Sequence, residues 1–432
     1  MTIRGPYDAI VVGAGPAGAT AARMLALGGA RVCLLERYRF PRNKPCGGGI
    51  TTRALRRFPY LRDALATIDA HYISTLYLEG PSRGHVVFRS PEPAVVTVRR
   101  IEFDGLLTRL AVRAGADLVE GAWVADAASG DADVGVVTRD GRRFEGRFLV
   151  AADGVNGIVA RRLGFHAGWS TSAVALDVME ETPVEQLRAV EPSTLWVSYG
   201  HGGAEGYGYI FPKRAHVNVG FGCVLSHFKQ RVSDPPYDLQ QRFVESLRRR
   251  GLLEGRSSRA GFTAYHVPVG GPLPATSRGR ALVVGDAGGF VNAYTAEGIY
   301  YAMVSGDLAA RAVLSGDDVS DPHPGSSVAR RYERAWRREI GPELRDSVLI
   351  QRYLFRDPAR IDRVVAGAAA HREVARVIVA YATGELSYAA ARRRLVAAFP
   401  RLVFRLVRTA AGAESPAAGE LPRCGSVSDR ID

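Results

Sequence analysis

Residues 7–12 are apolar apart from Asp8, the length and texture of a short strand buried on both faces. A glycine-rich turn follows, then the spacing of a helix over 17–27, then a second apolar run over 31–36. Two later apolar runs, 148–154 and 281–286, each end in an acidic residue beside glycine. They read as parallel strands whose carboxyl ends point toward a ligand. From about 169 to 262 the pattern changes to alternation, clearest at 194–198 and 218–224, which predicts an antiparallel sheet. Beyond about 326 the spacing is helical to about 408. The last twenty residues are small, polar and rich in Pro and Gly, so a disordered tail is expected over 413–432. No uncharged apolar run reaches eighteen residues, so no membrane-crossing helix is predicted, and no internal repeat is present.

A chain of 432 residues exceeds what one core organises, so two or three domains are expected. The four cysteines, Cys33, Cys46, Cys223 and Cys424, are scattered without metal-ligand spacing. With no basic, apolar leader at the start, a reducing cytoplasm is the expected setting and no metal is called for. The formal charge is +13, and residues 326–409 supply most of it, with 18 Arg and no Lys against 8 Asp and Glu. Such a segment suits a solvated helix face, or peripheral contact at the inner face of a membrane, or a pyrophosphate. No nucleic-acid module accompanies it, so nucleic acid is not an expected partner.

The turn after the first strand is Gly13-Ala14-Gly15-Pro16-Ala17-Gly18, a G-x-G-x-x-G between strand and helix, with Glu36 closing the second strand. In that context Gly13 permits a tight turn and Gly15 lets backbone approach a pyrophosphate at the helix terminus. Gly18 lets helix and strand pack closely, and Glu36 accepts ribose hydroxyls. The motif does not separate FAD from NAD. Asp286, after the 281–286 run, can hold a ribityl hydroxyl, which NAD lacks. A helix starting near Ala296-Glu297-Gly298 can aim its dipole at the pyrimidine edge of a flavin. Asp153-Gly154 adds a third turn at the sheet edge, and the three in this order favour FAD.

With those pieces the chain resembles FAD-dependent oxidoreductases of the p-hydroxybenzoate hydroxylase-like class, and within it the geranylgeranyl reductase family, from about Tyr7 to Leu354. Pro41-Arg42-Asn43-Lys44-Pro45-Cys46-Gly47-Gly48 matches the family's P-x-x-K-x-C-G-G. Tyr207-Gly208-Tyr209-Ile210-Phe211-Pro212, followed after seven residues by Gly220-Phe221-Gly222, matches Y-x-W-x-F-P-x7-G-x-G. The resemblance implies an α/β fold (α+β overall), with a Rossmann-type FAD domain over 1–75, 96–168 and 275–325. An antiparallel-sheet substrate domain is inserted over 76–95 and 169–274, and a helical region covers 326–412. It also widens the expected FAD-binding set to Pro16, Ala17, Arg37, Cys46, Gly47, Gly49, Arg100, Val124, Gly285, Gly298 and Ile299. Arg100 corresponds to a family arginine beside the flavin phosphates, unless Asp104 simply caps its helix.

Cys46, Tyr207 and Tyr209 are the candidates for catalytic contact. The thiol either positions flavin or substrate, forms transient adducts if Lys44 lowers its pKa, or packs as a small apolar group. Tyr207, Tyr209 and Phe211 share one strand face and either wall a prenyl tunnel or belong to the core. Departures from the family pattern are Tyr209 for tryptophan, Ala293 for proline, Ala296 for glycine, Gly157 for serine and Ala160 for arginine. The implied activity is saturation of isolated double bonds in a polyprenyl substrate by hydride from reduced flavin. A monooxygenase or halogenase on the same scaffold, and a lipid carrier with a relic flavin, are the alternatives. No second dinucleotide fingerprint is present, so NAD(P)H would bind transiently at the flavin, or a reduced electron-carrier protein would serve as donor. No residue is nameable as the proton donor.

Overall fold

The computed structural model describes residues 6–316 and 325–371 and, beyond them, parts of 374–397. The first of two large sheets has eight strands. Its main path runs Ser277–Arg278, Ala281–Val283, Arg143–Ala151, Tyr7–Val12, Val32–Glu36, Asp117–Glu120. Along this path every pair but the first is parallel. Ile10, Val11, Leu34, Leu149 and Val283 have almost no exposed surface, as expected of strands covered on both faces. The helix after the first strand spans Pro16–Leu27, one residue earlier than the apolar spacing marks, because proline suits the first helical position. It lies against Ile299–Leu314 at close range: a Cβ added to Gly306 would meet the Ala17 carbonyl oxygen at 2.2 Å.

The second sheet has seven strands in the order Phe262–Pro268, Val174–Pro183, His216–Val224, Gly206–Pro212, Thr194–Tyr199, Thr75–Glu79, His85–Arg89. All but one pair are antiparallel, and the exception corrects the expectation from alternation: Thr75–Glu79 and Thr194–Tyr199 run parallel. Alternation reports that the two faces differ and carries nothing about partner direction. Residues 80–193 intervene between these two strands, so no hairpin dictates it. One face packs Trp196, Ile210 and Val217 against Phe243 and Leu247 of the Pro236–Arg249 helix. The other face, with Leu76, Leu195, Val197 and Tyr209, packs toward Leu354, Ile361 and Val365.

A small sheet joins Gly49–Thr51 and His71–Ile73 to Val95–Thr97. The C-terminal helices are Ser326–Glu339, Gly341–Phe355 and Pro358–Ala370. The first buries Tyr332 and Trp336 and turns most of its arginines outward. The expected tail over 413–432 lies outside the described residues. Among the described residues no helix is long and apolar enough to cross a membrane.

Candidate functional site

A cavity of about 1400 Å³ begins at the carboxyl ends of Tyr7–Val12 and Val32–Glu36 and reaches the inner face of the seven-stranded sheet. Gly13 takes φ +102°, and a Cβ there would meet the Ala152 carbonyl at 2.4 Å, so both turn and packing demand glycine. A Cβ on Gly15 would meet nothing within 4 Å, which leaves the amino terminus of the Pro16–Leu27 helix approachable by a pyrophosphate. Pro16 and Ala17 complete that wall. Glu36 accepts the backbone N–H of Ala14 at 3.0 Å and of Tyr38 at 3.1 Å, and Arg42 stands 3.1 Å away. The carboxylate is thus fixed at the tip of its strand. Arg37 lies over Tyr38 and Trp123, with Val124 beside them on the cavity wall.

Gly18 and Gly285 do not line the cavity. A Cβ on Gly18 would meet the Gly13 carbonyl at 1.9 Å, and one on Gly285 would meet the Ala17 methyl at 2.8 Å, so both serve close packing behind the wall.

Arg100 lines the cavity but is engaged by Asp104 at 2.7 and 2.9 Å. Asp104 caps nothing, since Arg99 is the N-cap and no side chain serves it. It binds Arg42 as well, and although burial opposes ionisation, the Arg100 and Arg42 charges hold its carboxyl below the usual range. Asp153 accepts the N–H groups of Ile158 at 2.7 Å and Val159 at 2.9 Å through one oxygen, while its other oxygen is buried without a partner. Burial pushes this carboxyl up against those two bonds. Its position also accounts for Gly157: a Cβ there would come within 2.2 Å of the carboxylate carbon, so a serine would require Asp153 to move.

Asp286 is 3.3 Å from the Lys44 ammonium, and both line the cavity. The Ile299–Leu314 helix presents Gly298 and Ile299 at the same wall. Cys46 accepts the Gly48 N–H at 3.4 Å, and a Cβ on Gly47 would touch the Phe211 ring at 2.7 Å. Gly49 abuts the same ring. Tyr207, Tyr209 and Phe211 follow in a row, with ring centroids 6.0 and 4.9 Å apart. The Tyr207 hydroxyl donates to the Thr295 carbonyl at 2.6 Å, and that of Tyr209 donates to Asp177 at 3.2 Å. Burial holds both phenols well above their ordinary pKa.

The orphaned Asp153 oxygen, the approachable helix terminus beside Gly15, and the Asp286 carboxylate form a donor and acceptor set that suits FAD. Residues 6–304 match the model of the FAD binding domain. The digeranylgeranylglycerophospholipid reductase 2 of Methanothermobacter thermautotrophicus is 31% identical over 359 residues, spanning 81% of this chain and 88% of that protein. The chain belongs to the geranylgeranyl reductase family of FAD-dependent oxidoreductases. The menaquinone reductase of Mycolicibacterium smegmatis is 32% identical over 348 residues, covering 75% of this chain and 83% of its own. The fold also matches the solved geranylgeranyl bacteriochlorophyll reductase-like protein of Thermoplasma acidophilum. There the TM-score is 0.76 at 20% identity, over 93% of this chain and 99% of that one.

Three groups absent from the sequence reading complete this family member's site. Asp177, on Val174–Pro183, reaches the cavity beside Tyr209, and nothing in the sequence sets it apart from Glu180 and Glu181 on the same strand. Tyr199 and Tyr294 stack 4.8 Å apart with planes 6° from parallel. Arg53 binds Glu297 at 2.6 Å, Glu343 at 2.8 Å and Tyr301 at 2.7 Å, tying the start of the Ile299–Leu314 helix to the C-terminal helices. These three partners lie 244 to 290 residues away, beyond the reach of any local pattern.

Proposed function

We propose that the protein is an FAD-dependent reductase that saturates isolated double bonds of a geranylgeranyl or related polyprenyl chain. One observation carries the reading: the cavity that starts at the dinucleotide turn continues into an apolar lobe along the inner sheet face. Leu76, Leu78, Val86, Phe88, Leu195 and Val197 line that lobe. An extended hydrocarbon fits such a wall, and its burial is worth about 0.8 kcal/mol per methylene.

Bound FAD would supply hydride at one end of the double bond. Gly13, Gly15, Pro16 and Ala17 would hold its pyrophosphate, Glu36 its ribose hydroxyls, and Asp286 its ribityl chain. Arg37 and Val124 would flank the adenosine end, and Arg100 and Asp153 would stand near the phosphates. Gly298 and Ile299 would offer the positive end of their helix to the pyrimidine edge. The Cys46-Gly47-Gly48-Gly49 loop would bring backbone close to the reacting pair. Tyr207, Tyr209 and Phe211 would hold the alkene and exclude water. The donor would be NAD(P)H bound transiently or a reduced electron-carrier protein, since the sequence contains one dinucleotide fingerprint. The prenyl chain would enter at the C-terminal helices, where apolar and arginine side chains share the rim.

The test is anaerobic. Photoreduced holoenzyme mixed with a geranylgeranyl compound should reoxidise its flavin and release product heavier by two hydrogens per bond. A strict requirement for oxygen would instead identify a monooxygenase or halogenase.

A further inference from the structure

From the arrangement of Asp177 and Tyr209 we infer that Asp177 is the acid of the alkene reduction, passing its proton to the substrate through the Tyr209 hydroxyl. The inference rests on the proposed reductase activity and adds the half of the chemistry that flavin does not provide. Hydride brings two electrons and one hydrogen to one alkene carbon. The other carbon must receive a proton from a group that stays protonated in a site closed to water.

The sheet is built to bring this pair together. Tyr209 lies opposite Gly220 on the neighbouring strand, and a Cβ on Gly220 would sit 2.2 Å from the phenol oxygen. The missing side chain lets the ring lie across that strand and reach the next one, where Asp177 stands opposite Gly222. The phenol bonds both carboxylate oxygens, at 3.2 and 3.3 Å. In this chain, where tyrosine stands for the family's tryptophan, Gly220 thus clears the path from Tyr209 to Asp177.

The groups facing Asp177 can be named element by element. Tyr207 and Tyr209 come from Gly206–Pro212, His216–Val224 places Gly222 opposite it with Cys223 turned to the other face, and Tyr265 is its cross-strand partner on Phe262–Pro268. Lys44 comes from the Cys46 loop, with its ammonium 4.8 Å from the Tyr265 ring centroid and bound to Asp286. No arginine is among them. Burial pushes the Asp177 carboxyl up to about 7, against the Tyr209 bond and the Lys44 charge, so it holds a proton near neutral pH. Once protonated it can donate to the Tyr209 oxygen, which turns the phenol proton toward the cavity.

The step balances. A C–H bond forms from the Tyr209 O–H, the Asp177 O–H gives its proton to the phenolate oxygen, and reduced flavin provides the two electrons as hydride. Asp177 is left as carboxylate and regains its proton from solvent.

Asp177→Asn, Asp177→Glu and Tyr209→Phe would be compared with wild type in anaerobic single turnovers between pH 5.5 and 8.5, beside infrared spectra of the same holoenzymes. In wild type the rate should fall tenfold per pH unit above about 7, because the acid form is lost as pH rises through the raised pKa. Asp177→Asn should be slower at pH 6 on the order of 100-fold and lack that limb, with flavin content and photoreduction rate unchanged, while Asp177→Glu recovers part of the rate. A protonated-carboxyl band should bleach over the same range and be missing from Asp177→Asn. An Asp177→Asn enzyme that keeps the wild-type rate or limb, or an active wild type without the band, overturns the assignment. A wild type that keeps the band but saturates no prenyl compound overturns the reductase reading instead, and the donor role with it.

Discussion

Ala296 illustrates how one residue records a constraint that its own chemistry resists. It adopts φ +52°, in the left-handed region, just before the helix whose amino terminus faces the cavity. For a residue with a Cβ that conformation costs about 1–2 kcal/mol, part of which glycine would give back as roughly 0.5–1 kcal/mol of unfolded-state entropy. Ala296→Gly should therefore raise the denaturant midpoint by the equivalent of about 0.5–1 kcal/mol, and a drop in stability would show that the alanine methyl contributes packing worth more than the strain. The family's glycine at this position was visible as a departure in the sequence; its cause, a backbone angle, was not. Asp177 is the opposite case, a residue in plain view whose meaning depends on a phenol two strands away. The turn at Gly13-x-Gly15 and the strand end at Glu36 were legible because both leave local marks, but their contacts with Ala152 and Ala14 join segments apart in sequence.

Elements followed the same rule. The strand at Tyr7–Val12, the helix behind the glycine turn and the parallel core were legible because short apolar runs, the glycine turn and the amphipathic spacing after it agree with one another. The direction of Thr75–Glu79 was not, since alternation is identical for parallel and antiparallel partners. Within the seven-stranded sheet, the Gly206–Pro212 and His216–Val224 strands depend on each other through missing side chains. Gly208 leaves room for Phe243 on one face, and Gly220 leaves room for Tyr209 on the other. Gly220→Ala would drive a methyl into the Tyr209 ring, a clash that neither backbone nor a rigid aromatic absorbs easily. The expected cost is about 1–3 kcal/mol, with loss of the Tyr209–Asp177 bond and of alkene reduction, while FAD content is retained because the dinucleotide turn lies on the other sheet. Wild-type stability in that variant would mean that the strand yields and the ring is held less firmly than its contacts imply.

At the scale of the whole molecule, the chain draws one cavity from segments hundreds of residues apart. Its outer end is made by the helices Gly341–Phe355 and Pro358–Ala370 and the helical turns beyond them. Leu349 (64% exposed), Tyr353 (58%), Val364 (46%) and Val396 (64%) turn apolar surface outward there while also lining the cavity. Arg352, Arg356, Arg363, Arg392 and Arg393 are exposed around them. Apolar side chains at a cavity mouth ringed by arginine suit an anionic lipid surface, where the apolar tips enter the interface and the guanidinium groups meet phosphate. Such contact would also let a prenyl chain pass from bilayer to cavity without crossing water. Binding to vesicles containing anionic lipid should weaken steeply as salt rises, since screening shortens to ~8 Å near physiological ionic strength. Leu349→Ser with Tyr353→Ser should remove about 2 kcal/mol of apolar transfer, roughly 30-fold in affinity, with flavin content unchanged. Equal binding to neutral vesicles, or a double variant that floats as well as wild type, would show that the arginine charge serves solvent alone and that substrate reaches the mouth some other way.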